Sequence, residues 1–184
     1  LMPLLRFYSS RSKDGQLTSL ADYLGRLSEG QDAIYYLLGE ELTSAASSPH
    51  LDYFRSHEIE VLYLVDPIDG LMMASLREHE GKPFKSVDDP GLELPARDAE
   101  AEAEPLLPNK ELDRLKERCV DVLGDRITLV RETRVLDASP CRLVSPDDAP
   151  PREMQRVYRM LNQDFEAPKK ILELNRRHPL IQNL

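Results

Sequence analysis

Tryptophan is absent from this chain of 184 residues, and cysteine and glycine are scarce, with two and eight residues. Cys119 and Cys141 form no CxxC motif, so we expect reduced thiols in a cytoplasmic protein rather than a disulfide scaffold. Neither a P-loop nor a GxGxxG motif occurs, and no apolar run approaches the ~18 residues that a membrane-spanning helix needs. We therefore expect no membrane partner, and we see no signal peptide at the start of the chain.

Positive charge is also in short supply. Lysine and arginine number 24 against 33 aspartates and glutamates, which gives a net charge of −9. No long basic run is present, so nucleic acid is not an expected partner. Hydrophobic residues make up 41% and charged residues 31% of the chain, which is typical of a globular protein.

Short apolar runs alternate with helical patterns along the chain, which predicts a mixed α/β fold. We expect strands near 6–10, 33–38, 59–65, 84–87, 127–136, 141–144 and 171–174. The run from Ile59 to Val65 is almost entirely apolar, as in a parallel strand that is buried on both faces. Asn109 is the expected cap of a helix that runs to Gly124, and Ser19 with Asp22 matches a capping box. A helix from Ser19 is expected to continue past Leu27 to Gly30.

The composition changes near the middle of the chain. Residues 1–94 are predicted to form a small three-layer αβα subdomain, and residues 109–184 a second mixed α/β domain. Between them, residues 95–108 are predicted to form an acidic linker, because acidic residues alternate with alanine and are followed by prolines. The chain starts without methionine and its last helix has no stop signal at Leu184, so we expect an internal, truncated part of a larger protein.

Few side chains in the sequence suggest catalysis. No two of the four histidines have the i, i+4 spacing of a helical zinc site. Asp66 and Asp69 follow a predicted buried strand, at the sheet edge where α/β active sites lie. A magnesium-dependent phosphotransferase places two aspartates there, but with i, i+2 spacing instead of i, i+3. The alternative interpretation is a strand end followed by a helix cap, which we favour.

Two predicted helices are rich in methionine. Met72 and Met73 lie beside Leu71 on one of them, whereas the second carries an apolar face formed by Met154, Val157, Tyr158 and Leu161. Flexible methionine side chains suit surfaces that bind varied apolar partners. The same spacing is equally typical of ordinary core packing, so periodicity leaves both interpretations open.

Distinctive sequence blocks then follow one another in a fixed order: LLRF from Leu4, TSLADY from Thr18, EGQDAIYY from Glu29, SPHL from Ser48, EIEVL from Glu58, DPID from Asp66, LDASP from Leu136 and ILELN from Ile171. Together they resemble the heat-shock protein 90 family, and most closely its bacterial members. The resemblance covers nearly the whole chain, except for the stretch from Pro95 to Pro108.

The resemblance implies an ATP-driven, homodimeric molecular chaperone that binds unfolded or partly folded client proteins. It places residues 1–94 at the end of the middle segment and residues 109–184 at the start of the C-terminal dimerisation domain. The ATP and magnesium site, the catalytic arginine and the dimerising helices would all lie outside this chain. We therefore expect no enzymatic activity and no cofactor in this part of the protein.

In the family, an exposed helix of the C-terminal domain contacts clients, and Met154, Val157, Tyr158 and Leu161 match its apolar positions. Met72 and Met73 match paired methionines of a second client-facing helix, although Leu71 stands where bacterial members commonly have tryptophan. The resemblance thus implies a client-binding role that couples the ATPase part to the dimerisation part. A purely structural coupling segment, with both helices buried, remains the alternative.

Overall fold

The computed structural model describes residues 2–13, 15–89, 91, 92, 94, 106–161 and 168–184. The chain divides into two compact units. Unit 1 comprises Leu1–Leu92 and Pro150–Ala167, and unit 2 comprises Glu93–Ala149 and Pro168–Leu184. Within the described ranges, no helix combines the length and the apolar character needed to cross a membrane.

Unit 1 contains most of the secondary structure, numbered here along the whole chain. Its elements are β1 (Arg6–Ser9), β2 (Thr18–Ser19), α1 (Leu20–Leu24), β3 (Ile34–Leu38), α2 (Leu42–Ala46), α3 (Asp52–Ser56), β4 (Leu62–Leu64), α4 (Asp69–Ser75), β5 (Glu78–His79), β6 (Lys82–Ser86) and α6 (Arg152–Met160). The six strands form one sheet in the order β2-β1-β4-β3-β6-β5. Strand β3 pairs in parallel with both β4 and β6, as the alternation of strands and helices predicts.

Helices cover both faces of this sheet. On one face, α1 and α4 contribute to a core made of Phe7, Leu20, Tyr23, Ile34, Tyr36, Leu38, Leu62, Leu64 and Met73. Successive strand residues point to opposite faces, so Tyr35 lies on the other side of the sheet from Tyr36. There the ring of Tyr35 packs on Phe54 of α3, with ring centroids 4.8 Å apart. The predicted α/β fold with a layered first subdomain is therefore confirmed.

The start of α1 has the predicted capping box. The backbone N–H of Asp22 donates to Ser19 Oγ at 3.1 Å, and the Ser19 N–H donates back to Asp22 Oδ2 at 3.3 Å. The helix ends at Leu24, earlier than predicted, and Gly25 is its C-cap. Leu27 still packs against the core from the following turn, which explains why its spacing suggested a longer helix.

Replacing Ser19 with alanine should lower the free energy of unfolding by about 1 kcal/mol, because the first turn of α1 loses a side-chain acceptor. Chemical denaturation followed by circular dichroism would measure this change. Ser47→Ala is a suitable comparison, since the Ser47 hydroxyl is exposed and donates to the carbonyl oxygens of Thr43 and Ser44 without capping the start of a helix. An equal effect of both substitutions would contradict the role of the capping box.

Residues 150–167 cluster with unit 1, although they follow much of unit 2 in the sequence. The helix α6 in this segment packs against α4. This grouping differs from the predicted division, which assigned all of 109–184 to the second domain. Of the predicted acidic linker 95–108, residues 95–105 lie outside the described residues, and the functional boundaries of the domains remain a prediction.

Unit 2 is a small α/β unit. Its elements are α5 (Asn109–Leu123), β7 (Ile127–Glu132), β8 (Cys141–Val144), β9 (Lys170–Leu174) and α7 (Pro179–Gln182). The strand β9 is central, parallel to β7 and antiparallel to β8. The core of unit 2 is formed by Leu107, Leu112, Ile127, Leu172, Leu174 and Ile181.

The two cysteines belong to the packing of unit 2. Cys119 and Cys141 are half-buried against its core. Burial raises the pKa of both thiols above its ordinary value, which does not favour a nucleophilic thiolate.

Some predicted boundaries are wrong. Pro108, not Asn109, is the residue that precedes the first turn of α5, and it has no side-chain hydrogen bond to the helix. Gly124 does end α5, with a positive φ of 51° that favours glycine. The strands β4 and β7 are shorter than the apolar runs that predicted them.

Candidate functional site

The helix α6 is attached to the rest of unit 1 by its polar side chains. The Tyr36 hydroxyl donates to Glu153 Oε1, and Arg152 forms an ion pair with Asp88. The Asp88 carboxylate also accepts a 2.6 Å hydrogen bond from the Ser86 hydroxyl. Burial raises the pKa of Tyr36 above its ordinary value, and the hydrogen bond to Glu153 adds to this effect. Tyr36 therefore remains a neutral donor to the helix over the physiological pH range.

Arg156 provides a second attachment of α6, between α4 and the sheet. Its guanidinium donates to the backbone carbonyl oxygens of Leu64 and Val65, each at 3.3 Å. The side chain lies directly against Gly70 of α4, where an added Cβ would be 3.2 Å from Arg156 Cβ. A glycine at this position lets the two helices approach closely.

The predicted client-binding residues of α6 are partly accessible. Met154, Val157 and Tyr158 are half-buried, whereas Leu161, just after the helix, is 63% exposed. Met160 is also exposed. The residues of the helix that are fully buried are polar, namely Glu153 and Gln155. The predicted apolar face is therefore not the side of α6 that contributes most to the packing of unit 1.

The two methionines of α4 have a different environment. Met73 is only 5% exposed and belongs to the core of unit 1, and Met72 is half-buried against that core. The exposed apolar side chains here are Leu71 and Ile68, the residue that precedes α4. The structure thus brings the two predicted helices together, but it directs Met73 into the core.

Asp66 and Asp69 form the turn that leads into α4. Asp69 Oδ2 accepts the backbone N–H of Asp66 at 2.8 Å, and Asp66 Oδ1 accepts the N–H of Ile68 at 3.1 Å. Asp69 is the first residue of α4 and not its cap, which corrects one detail of the prediction. Burial raises the pKa of the Asp69 carboxyl above its ordinary value. Both carboxylates thus have a structural role in the turn, as the interpretation that we favoured requires.

Sequence reasoning missed the polar residues that attach α6. Arg152, Arg156 and Arg159 recur at i, i+4 and i+7, which places them on one face of the helix. This spacing is readable in the sequence, but an arginine face is usually solvated. Its function shows only in contacts with residues more than 60 positions away, where Arg152 pairs with the buried Asp88 and Arg156 donates to the carbonyl oxygens of Leu64 and Val65.

The sequence profile of the family described as "Hsp90 protein" matches residues 1–184. The chain belongs to the Hsp90 family.

Individual relatives are similar along the whole chain. The "Chaperone protein HtpG" of Desulfitobacterium hafniense is 38% identical over 185 residues, which covers 100% of this chain and 30% of that protein. The protein of the same name from Chlorobaculum tepidum is 38% identical, with 100% and 29% covered. That from Myxococcus xanthus is 40% identical, with 98% and 28% covered. The chain therefore spans about 30% of the length of these relatives.

Proposed function

We propose that this chain is a segment of an Hsp90-family chaperone, formed by the end of the middle segment and the beginning of the C-terminal domain. The relatives named "Chaperone protein HtpG" align with the whole chain over less than a third of their length, which supports a segment of such a protein. The place of the segment within the protein is proposed from the resemblance of its sequence blocks. In this proposal ATP and Mg²⁺ bind elsewhere in the whole protein, which acts as a cytoplasmic homodimer.

The proposed role of the segment is to bind partly folded client proteins through the apolar side of α6. One observation carries this proposal: α6 is held in unit 1 by Arg152, Glu153 and Arg156, so its apolar side chains are not all required for packing. Leu161 is 63% exposed, and Met154, Val157 and Tyr158 form the adjoining half-buried surface. These four residues are the proposed client contacts on α6.

The helix α4 extends this surface in our proposal. Met72 is half-buried and Leu71 is exposed, so both have area that a client could cover. The buried Met73 would act indirectly, by supporting the position of α4. Leu71 stands where bacterial members commonly have tryptophan, an aromatic residue that could contact a client. We therefore expect α6 to contribute more than α4 to client binding.

The expected affinity of one such surface is low. Burial of apolar area contributes about 25 cal/mol per Å², and the ordering of an unfolded client opposes it. A dimer that presents two copies of the surface would gain avidity. Weak contacts with many side-chain types are what a chaperone for varied clients requires.

The test is a titration of the 184-residue chain with a permanently unfolded model client, followed by amide shifts in NMR spectra. We expect shifts centred on 154–161, and about tenfold weaker binding for Leu161→Ser, since an exposed leucine that becomes buried contributes roughly 1.5 kcal/mol. The variant Met154→Ser/Tyr158→Ser should bind still more weakly while its spectrum remains that of a folded protein.

Val122→Ser is the matched control, because Val122 is a 73% exposed apolar residue on α5 in unit 2. It should bind the client as the unaltered chain does. If Val122→Ser and Leu161→Ser lost the same amount of client affinity, the result would contradict a specific binding surface on α6.

A second candidate function is structural coupling without client contact. The grouping of 150–167 with unit 1 favours it, because the chain then passes between the two units three times. In this case the titration should produce no localised shifts, and the α6 substitutions should alter only stability.

A further inference from the structure

A cleft in unit 1 contains an arginine cluster for which client binding gives no explanation. Its volume is about 470 Å³. The polar residues that line it include Glu40, Ser44, Ser48, Arg152, Arg156 and Arg159. The cleft lies at the carboxyl end of β3, where the chain turns towards α2. In parallel α/β sheets, ligands generally bind at this end of the strands.

The arginines reach the cleft from one face of α6. Arg152 is already paired with the buried Asp88 carboxylate. Arg156 donates only to two backbone carbonyl oxygens at 3.3 Å, and no carboxylate of the described residues forms an ion pair with it. A guanidinium has five N–H groups, so Arg156 retains donors for an incoming anion.

Arg159 forms only an exposed ion pair, which an incoming anion could replace. Its Nη1 atom lies 3.1 Å from Glu40 Oε1, and both side chains are largely exposed, at 53% and 83%. Such exposed pairs contribute little net free energy, so a more highly charged anion can displace Glu40. Ser48 adds a further hydroxyl to the lining of the cleft, whereas the Ser44 hydroxyl already donates to the Glu41 carbonyl oxygen at 2.9 Å.

We propose that this cleft binds a phosphate group carried by a small molecule, with Arg156 and Arg159 as the principal ligands. Planar guanidinium groups match the oxygens of a phosphate in a bidentate geometry that lysine does not provide. The protein is otherwise acidic, with a net charge of −9, so an arginine cluster in a cleft is an unusual feature. A bound phosphate would bridge α6 and α2, and it would stabilise the attachment of α6 by mass action.

The experiment is an NMR titration with orthophosphate and with pyrophosphate, at constant ionic strength maintained with sodium chloride. We expect saturable shifts at 37–48 and 152–160, and tighter binding of pyrophosphate because the cleft has room for more than one phosphate group. Arg159→Gln should weaken binding at least tenfold, and Glu40→Gln should strengthen it several-fold.

Arg114→Gln on α5 is the charge-matched control, since Arg114 is exposed and lies in unit 2. It should leave phosphate affinity unchanged. Shifts that chloride reproduces, or binding that Arg159→Gln does not alter, would overturn the proposal. The result is independent of client binding, because the unfolded client is absent from this titration.

Discussion

Replacing Arg26 with alanine should lower the free energy of unfolding of unit 1 by about 3 kcal/mol. The Glu60 side chain is only 2% exposed, and both of its oxygens accept hydrogen bonds from Arg26, at 2.8 and 2.9 Å. Without Arg26 the charge of Glu60 would be buried without a partner, which is among the most destabilising changes in a protein interior. Arg26 also donates to Thr18 Oγ1 at 2.8 Å, so the substitution removes a further hydrogen bond.

The double variant Arg26→Ala/Glu60→Leu tests the physical reason for this loss. Removing both charges eliminates the uncompensated carboxylate, so the double variant should be more stable than Arg26→Ala alone. Arg26→Lys should give an intermediate value, because an ammonium cannot form the bidentate contact. Urea denaturation of the four proteins provides the comparison, and a double variant less stable than the single one would refute the explanation.

The second large effect is expected in unit 2. Glu173 lies on the central strand β9, where Arg131 and Arg142 on its two neighbours contact separate carboxylate oxygens, at 2.7 and 2.6 Å. Glu173→Ala should lower the free energy of unfolding of unit 2 by about 3 kcal/mol, since it leaves the 12% exposed Arg142 guanidinium without its partner. Hydrogen exchange measured residue by residue should show faster exchange in β7, β8 and β9.

Lys169→Ala is the control for this experiment. Lys169 pairs with Asp125 at 3.0 Å, but both side chains are exposed, at 54% and 102%. The loss of this ion pair in Lys169→Ala should therefore change the free energy of unfolding by less than about 0.5 kcal/mol. If exchange in unit 1 increased as much as exchange in unit 2 after Glu173→Ala, the two units would not be independent in stability.

Local sequence signals predicted much of this fold. The capping box at Ser19, the apolar run of β3 and the glycine that ends α5 all depend on residues close together in the chain. Strand lengths were less predictable. Ile59 lies in the apolar run before β4, but the ladder includes only Leu62–Leu64, because pairing depends on the neighbouring strands.

The position of α6 could not be predicted from periodicity. Its apolar spacing at Met154, Val157 and Tyr158 suggested a face that either packs or binds clients. The structure buries Glu153 instead, because the hydroxyl of Tyr36, 117 residues earlier, supplies the hydrogen bond that a buried carboxylate needs. Partners this far apart in the chain leave no local pattern.

The position of α6 also affects the order in which parts of the protein fold during synthesis. The Asp88 carboxylate and the Tyr36 hydroxyl leave the ribosome before α6, because Arg152 follows Asp88 after 64 residues and Glu153 follows Tyr36 after 117. Contacts between such distant residues form slowly because a long loop must close first. A nascent chain must therefore hold the sheet of unit 1 with an uncovered polar surface while unit 2 begins to emerge. Unit 1 thus passes through an incompletely folded state before α6 is attached.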